Sequence, residues 1–310
     1  MRLFRRAAAP STPGFHLLLF LLTALTTTLV PFASPLGAFS DLPLGDAIRN
    51  PRFWSLGLSF SIPLLAILGI HELGHMVACR RYGLPATYPY FIPAPFGIGT
   101  LGAVIRIRAP ITSRKALFDV GAAGPLAGFA VALPVVAWGV ATSRVATTPA
   151  PPGQFEFSDP LLMKILERIV HPGLSAGADV VVSPLGLAGW FGLLVTALNL
   201  LPLSQLDGGH VLYAVAGRSQ RRIGLVLFVV LVGLAFFWPG WILWAVIVLV
   251  MGIAHPPTAE SSERLDGKRR ALAFVCLIVF VLSFTPVPIR ITKSETRSHP
   301  RPQPAKTYQL

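Results

Sequence analysis

Three ionisable side chains lie within five residues of an otherwise apolar stretch, in the order His71-Glu72-x-x-His75. On a helix, residues four apart share one face, so the two imidazoles can bind one metal ion. Glu72 follows the first imidazole, where it can polarise a water molecule at that ion. From residue 53 to residue 79 the only other ionisable group is the Cys79 thiol. Because charge is costly in an apolar run, this spacing predicts a zinc site rather than two structural histidines.

A third protein ligand is expected, because a hydrolytic zinc ion takes three and leaves one position for water. Asp207 is the best candidate among the few carboxylates in apolar runs. His75 lies five residues before Arg80, and Asp207 lies eleven before Arg218. At about 1.5 Å per helical residue, both lie several Å inside the same membrane face. The alternative is that Asp207 caps a helix beside two glycines.

The composition indicates a membrane protein. Of 310 residues, 53% are hydrophobic and 13% are charged, and the mean hydropathy is +0.66. Soluble domains carry about twice that charged fraction. The net charge of +13 lies largely on short segments between apolar runs, as on the cytoplasmic faces of membrane proteins. We therefore expect a lipid bilayer, and no nucleic acid, as a partner.

Seven apolar runs can hold helices, and several reach the roughly 20 residues that cross a bilayer. They lie at 15–33, 53–79, 117–141, 184–210, 223–238, 241–254 and 271–288. We predict an all-α polytopic membrane protein with about six to seven transmembrane helices. Lysine and arginine concentrate on one side, which places the amino terminus and the histidine-bearing end of the second run in the cytoplasm.

The segment between the second and third runs differs from its neighbours. It contains Pro85, Pro89, Pro93 and Pro95, and residues 103–108 alternate apolar and basic side chains. Prolines break helices, and alternation is typical of a strand. We predict a small membrane-associated β-hairpin or sheet at this position; an ordinary cytoplasmic loop is the alternative.

The apolar runs divide the chain into three predicted parts. Residues 1–52 form an amino-terminal transmembrane span and an outer loop, and residues 53–289 form a membrane-embedded catalytic domain. Residues 290–310 form a basic, polar tail that we expect to be disordered.

At this point the motifs match a known family. His71-Glu72-x-x-His75 in one span and Asn199-x-x-Pro202-x-x-x-Leu206-Asp207-Gly208-Gly209 in a later one resemble the site-2 proteases. Those proteins are intramembrane zinc metalloproteases. The small-residue stretch 121–128 resembles the family's span between the two motifs. Residues 93–108 are similar to the PDZ-less branch of cyanobacteria, other bacteria and chloroplasts.

The resemblance implies roles for five residues. His71, His75 and Asp207 would bind one zinc ion per chain, and Glu72 would be the general base. Asn199 would help to bind the scissile peptide or its oxyanion. The implied function is cleavage in or near transmembrane segments of single-span membrane proteins, in a bacterial inner membrane or an organellar membrane. An inactive relative that binds membrane helices and a metal or solute transporter are the competing hypotheses.

Overall fold

The computed structural model describes residues 12–33, 43–146, 155–173, 179–256, 258 and 263–291, and it is mostly helical. The helices are α1 Pro13–Ala33, α2 Leu44–Ala47, α3 Pro51–Arg81, α4 Arg114–Ala141, α5 Leu161–Val170, α6 Pro184–Asn199, α7 Asp207–Ala216, α8 Gln220–Leu234, α9 Gly240–Met251 and α10 Gly267–Ser283. The strands are β1 Tyr90–Pro93, β2 Thr100–Val104, β3 Arg144–Ala146, β4 Phe155–Phe157, β5 Asp179–Val181 and β6 Ile289–Ile291. The predicted tail beyond residue 291 lies outside the described residues.

Helices α3 and α4 are long and apolar enough to cross a membrane. α3 begins after Asn50, whose side chain accepts a hydrogen bond from the Arg52 N–H, and it ends with Arg80 and Arg81. These are favourable residues for the two ends of a helix. Shorter apolar helices occupy Pro13–Leu29, Pro184–Asn199 and Gly240–Met251. The number of six to seven spans therefore stays a prediction.

Small residues bring the two long helices into backbone contact. A Cβ added at Gly74 of α3 would lie 2.5 Å from the Ala123 carbonyl oxygen of α4. Likewise, a Cβ at Gly139 of α4 would lie 2.2 Å from the Cα of Gly186 in α6. Close approach of this kind is how helices associate in lipid, where apolar side chains gain little by leaving the solvent. One bundle of α3, α4 and α6 results, and it surrounds the predicted site residues.

The predicted β-hairpin is confirmed. β1 pairs antiparallel with β2, with Tyr90 opposite Val104 and Phe91 opposite Ala103, and it lies between α3 and α4 in the chain. A further bridge between Ala86 and Ile107 extends the pairing. Two more antiparallel pairs, β3 with β5 and β4 with β6, join segments that follow α4, α5 and α10.

Helix α1 holds this hairpin near both of its ends. His16 Nδ1 lies 3.1 Å from the Pro89 carbonyl oxygen, just before β1. Thr26 Oγ1 donates to the Gly99 carbonyl oxygen at 2.6 Å, in the turn before β2. Gly99 has a φ of +86°, and a Cβ there would lie 2.5 Å from the Thr26 backbone. The turn therefore needs glycine both for its conformation and for its contact with α1.

We expect Gly99→Ala to destabilise the protein more than Gly97→Ala. Gly97 also has a positive φ, but a Cβ there meets nothing within 4 Å. Its substitution costs only the left-handed strain of about 1–2 kcal/mol. Gly99→Ala adds a clash with α1, so its unfolding temperature in detergent should be the lower of the two. Equal unfolding temperatures would show that the α1 contact contributes nothing.

Candidate metal centre

His71 and His75 lie one turn apart on α3 and face α4. Both imidazoles are buried, and the space they occupy comes from two glycines of α4. A Cβ added at Gly124 would lie 2.1 Å from His75 Nε2, and one at Gly128 would lie 3.1 Å from His71 Cβ. The small-residue stretch predicted to pack helices therefore also makes room for the two rings.

Asp207 reaches the same location through a reversal of the chain. α6 ends at Asn199, residues 200–206 turn back, and α7 begins at Asp207 itself. A Cβ at Gly208 would lie 2.0 Å from the Leu200 carbonyl oxygen, and one at Gly209 would lie 2.3 Å from that of Ser204. The two glycines thus let the first turn of α7 lie directly against the preceding loop.

Three ligand atoms form a nearly equilateral triangle. His71 Nε2 and His75 Nε2 are 3.1 Å apart, and Asp207 Oδ2 lies 3.4 Å from the first and 3.3 Å from the second. Tetrahedral zinc bonds of about 2.0–2.1 Å separate neighbouring ligand atoms by about 3.3–3.4 Å. Two imidazoles and one carboxylate on three corners leave the fourth open. The donor set therefore fits one zinc ion of the catalytic kind.

A backbone carbonyl fixes the tautomer of one imidazole. His75 Nδ1 lies 2.8 Å from the Val120 carbonyl oxygen, which can only accept a hydrogen bond. Nδ1 must therefore carry the proton, and the Nε2 lone pair faces the other two ligand atoms. A hydrogen bond from the ring nitrogen that does not bind the metal is what usually orients metal-binding histidines.

Glu72 is buried beside the triangle, and the Ile105 backbone lies close to its carboxylate. Ile105 directly follows β2, so the hairpin reaches the carboxylate of the motif. Asn199, the last residue of α6, also belongs to the group, because its Nδ2 lies 3.3 Å from His71 Nε2. All five predicted site residues thus lie together, contributed by α3, α6 and α7.

One half-buried histidine pair was not predicted from the sequence. His210 Nδ1, one turn after Asp207, lies 2.8 Å from His255 Nε2. The His255 ring stacks on Tyr213 with centroids 4.6 Å apart. His255 is 45 residues away in a loop, and no spacing rule links the two histidines.

Comparisons with known proteins agree with this geometry. The family described as "Peptidase family M50" matches residues 59–240, a range that contains all five site residues. The chain is 28% identical over 261 residues to "Probable zinc metalloprotease EGY2, chloroplastic" of Arabidopsis thaliana, covering 81% of this chain and 45% of that relative.

Two further relatives have similar sequence identity and coverage. "Probable zinc metalloprotease EGY1, chloroplastic" of Arabidopsis thaliana is 31% identical over 242 residues, with 76% of this chain and 44% of the relative covered. The protein of the same name in Oryza sativa subsp. japonica is 30% identical over 294 residues, with 87% and 50% covered. The chain thus spans about half the length of the curated relatives it matches.

We expect Gly124→Ala to abolish tight zinc binding, because the new methyl group would occupy the place of His75 Nε2. Affinity should fall by about 100-fold or more, since loss of a supporting hydrogen bond alone costs about 10–100-fold. Zinc titration of the purified protein measures this. Gly233→Ala is the matched control, because a Cβ at that helical glycine meets nothing within 4 Å. Unchanged zinc binding by Gly124→Ala would contradict the assignment.

Proposed function

Since the chain belongs to peptidase family M50, the site-2 proteases, and to its chloroplast-type branch, we propose that it is a membrane-embedded zinc endopeptidase. Its substrates would be single-span membrane proteins, cleaved in or near their transmembrane segments. The observation that carries the proposal is the triangle of two imidazoles and one carboxylate beside the buried Glu72. A multi-pass protein in a bacterial or organellar membrane is consistent with the family and with the apolar helices.

His71, His75 and Asp207 would hold the zinc ion. When bound, zinc supplies a Lewis acid that polarises a carbonyl and lowers the pKa of water to about 7. The chain supplies the rest of the site. Val120 keeps His75 in the tautomer that binds a metal, and Asp207 brings one negative charge that offsets part of the charge of the ion.

Glu72 would act as the general base. Its carboxylate takes the proton of the attacking water and passes it to the leaving amine, a role worth about 10²–10⁴ in rate. Asn199 would donate from its side-chain amide to the oxygen of the scissile carbonyl as negative charge develops there. Removing such a donor costs about 10²–10³ in kcat.

The hairpin offers an edge for an extended peptide. The Thr87 N–H donates to Arg106 O at 3.0 Å, and the Arg108 N–H donates to Pro85 O at 2.8 Å. Because backbone groups alternate along a strand, Ile105 and Ile107 face the other way. The Ile105 backbone lies close to Glu72, so a peptide paired along this edge would pass the general base. Strand addition of this kind would hold the substrate unwound.

The active site would lie near the cytoplasmic end of α3, or the equivalent side of an organelle. Arg80 and Arg81 end that helix, five or more residues after His75. Basic residues at the end of a span mark its inner side.

We expect Glu72→Gln to keep zinc and to lose cleavage by at least about 10²-fold, because the amide cannot accept the proton. Zinc content and cleavage of a single-span substrate are measured on the same preparation. Comparative membrane proteomics of wild-type and Glu72→Gln cells would find the substrate as a protein that accumulates uncut.

The same variant separates the competing functions. A transporter that uses the three ligands, or a helix-binding inactive relative, would keep its function with Gln at position 72. If wild type and Glu72→Gln left identical sets of membrane proteins while both held zinc, the protease proposal would be wrong.

We expect Ile107→Pro to reduce cleavage while zinc binding stays normal, because proline removes the outward-facing N–H of the edge. Ile107→Ala keeps that N–H and serves as the control for the lost side chain. The cleavage rates and zinc contents of the two variants test whether this N–H pairs with the substrate. Equal cleavage by both would exclude strand addition at this residue.

A further inference from the structure

A groove runs along the outer side of the contact between α3 and α4, with α10 as its second wall. Its volume is about 640 Å³. Its floor is the close contact of Gly74 with Ala123 and Ala127. The side chains that shape it are Leu73, Val77 and Arg81 of α3, Leu126 of α4, and Lys268 and Leu272 of α10. None of them belongs to the metal centre.

One end of the groove is positively charged. Arg269 donates two hydrogen bonds to the Asp119 carboxylate, at 2.8 and 2.6 Å, and it also pairs with Asp266. The two carboxylates of the groove therefore share a single arginine, and the three groups together carry a net charge of −1. Arg81 and Lys268 are exposed at the same end, and no described residue forms an ion pair with either of them. The three cations and two carboxylates at this end give a net charge of +1, and the two basic side chains without an ion pair lie where the groove opens.

The other end is apolar and extends into the membrane. From Arg81 to Ile70, the deepest lining residue of α3, is eleven residues, or about 16 Å of helix. This is close to half of the roughly 30 Å hydrocarbon core. The groove therefore spans one leaflet, with its charges at the headgroup level.

The lining of the groove is complementary to a lipid. Its apolar side chains suit an acyl chain, and a negatively charged headgroup would meet Arg81 and Lys268.

We propose that this groove is a binding site for one anionic phospholipid of the cytoplasmic leaflet. The phosphate lies between Arg81 and Lys268, and an acyl chain follows Val77 and Leu126 towards Ile70. Juxtamembrane basic residues attract anionic headgroups, and each contributes several-fold to affinity. The site is separate from the proposed protease centre, so either assignment can fail without the other.

The full-length protein, exchanged into mixed phosphatidylglycerol and phosphatidylcholine, is tested by native mass spectrometry. We expect wild type to retain one phosphatidylglycerol in preference to phosphatidylcholine. Arg81→Gln with Lys268→Gln should reduce that retention about tenfold or more. The control is Arg80→Gln with Arg270→Gln, which removes the same charge from adjacent exposed residues that do not line the groove.

A second pair of variants tests the apolar part. Val77 and Ile62 are both 63% exposed on α3, but only Val77 lines the groove. Val77→Trp should displace the retained lipid, and Ile62→Trp should not. Equal retention of the two lipid classes by wild type, or equal loss in the Arg81/Lys268 and Arg80/Arg270 pairs, would overturn the proposal. The unfolding temperature of each variant in detergent verifies that it is folded.

Discussion

The site depends on how closely α3 and α4 approach each other. Helices bearing ordinary side chains pack with axes about 8–10 Å apart. Side chains at positions 124 and 128 would then occupy the space that the two imidazoles need. Here the absence of side chains at Gly124 and Gly128 lets the rings of His75 and His71 fill the interface. Val120, on the same helix, then fixes the His75 ring by its carbonyl. α3 therefore supplies the two histidines, and α4 supplies their space and the orientation of His75.

A carboxylate held in this interior needs a compensating charge. An isolated buried carboxylate is strongly unfavourable, and pairing with a cation or a metal is what makes it tolerable. Asp207 lies within 3.4 Å of both imidazoles, so the three groups are mutually dependent. The Gly208-Gly209 pair allows this by letting the chain reverse against its own backbone.

The sequence predicted which residues of the candidate site come together better than it predicted what surrounds them. His71 and His75 followed from helical spacing, Asp207 from its depth relative to Arg218, and the hairpin from prolines and alternation. These features are local in the chain or depend on one membrane boundary. The space made by Gly124, the His210–His255 pair and the hold of α1 on the hairpin are tertiary contacts. They depend on which faces meet after folding, and periodicity does not encode that.

Asn199 and Asp207 stand at the two ends of one short reversal, seven residues long. With the roles proposed for them, a single short link joins the oxyanion donor to the third ligand. A displacement of that link moves both at once. Natural variation in residues 200–206 should therefore change metal affinity and turnover in concert, and selection cannot adjust one of these properties independently there.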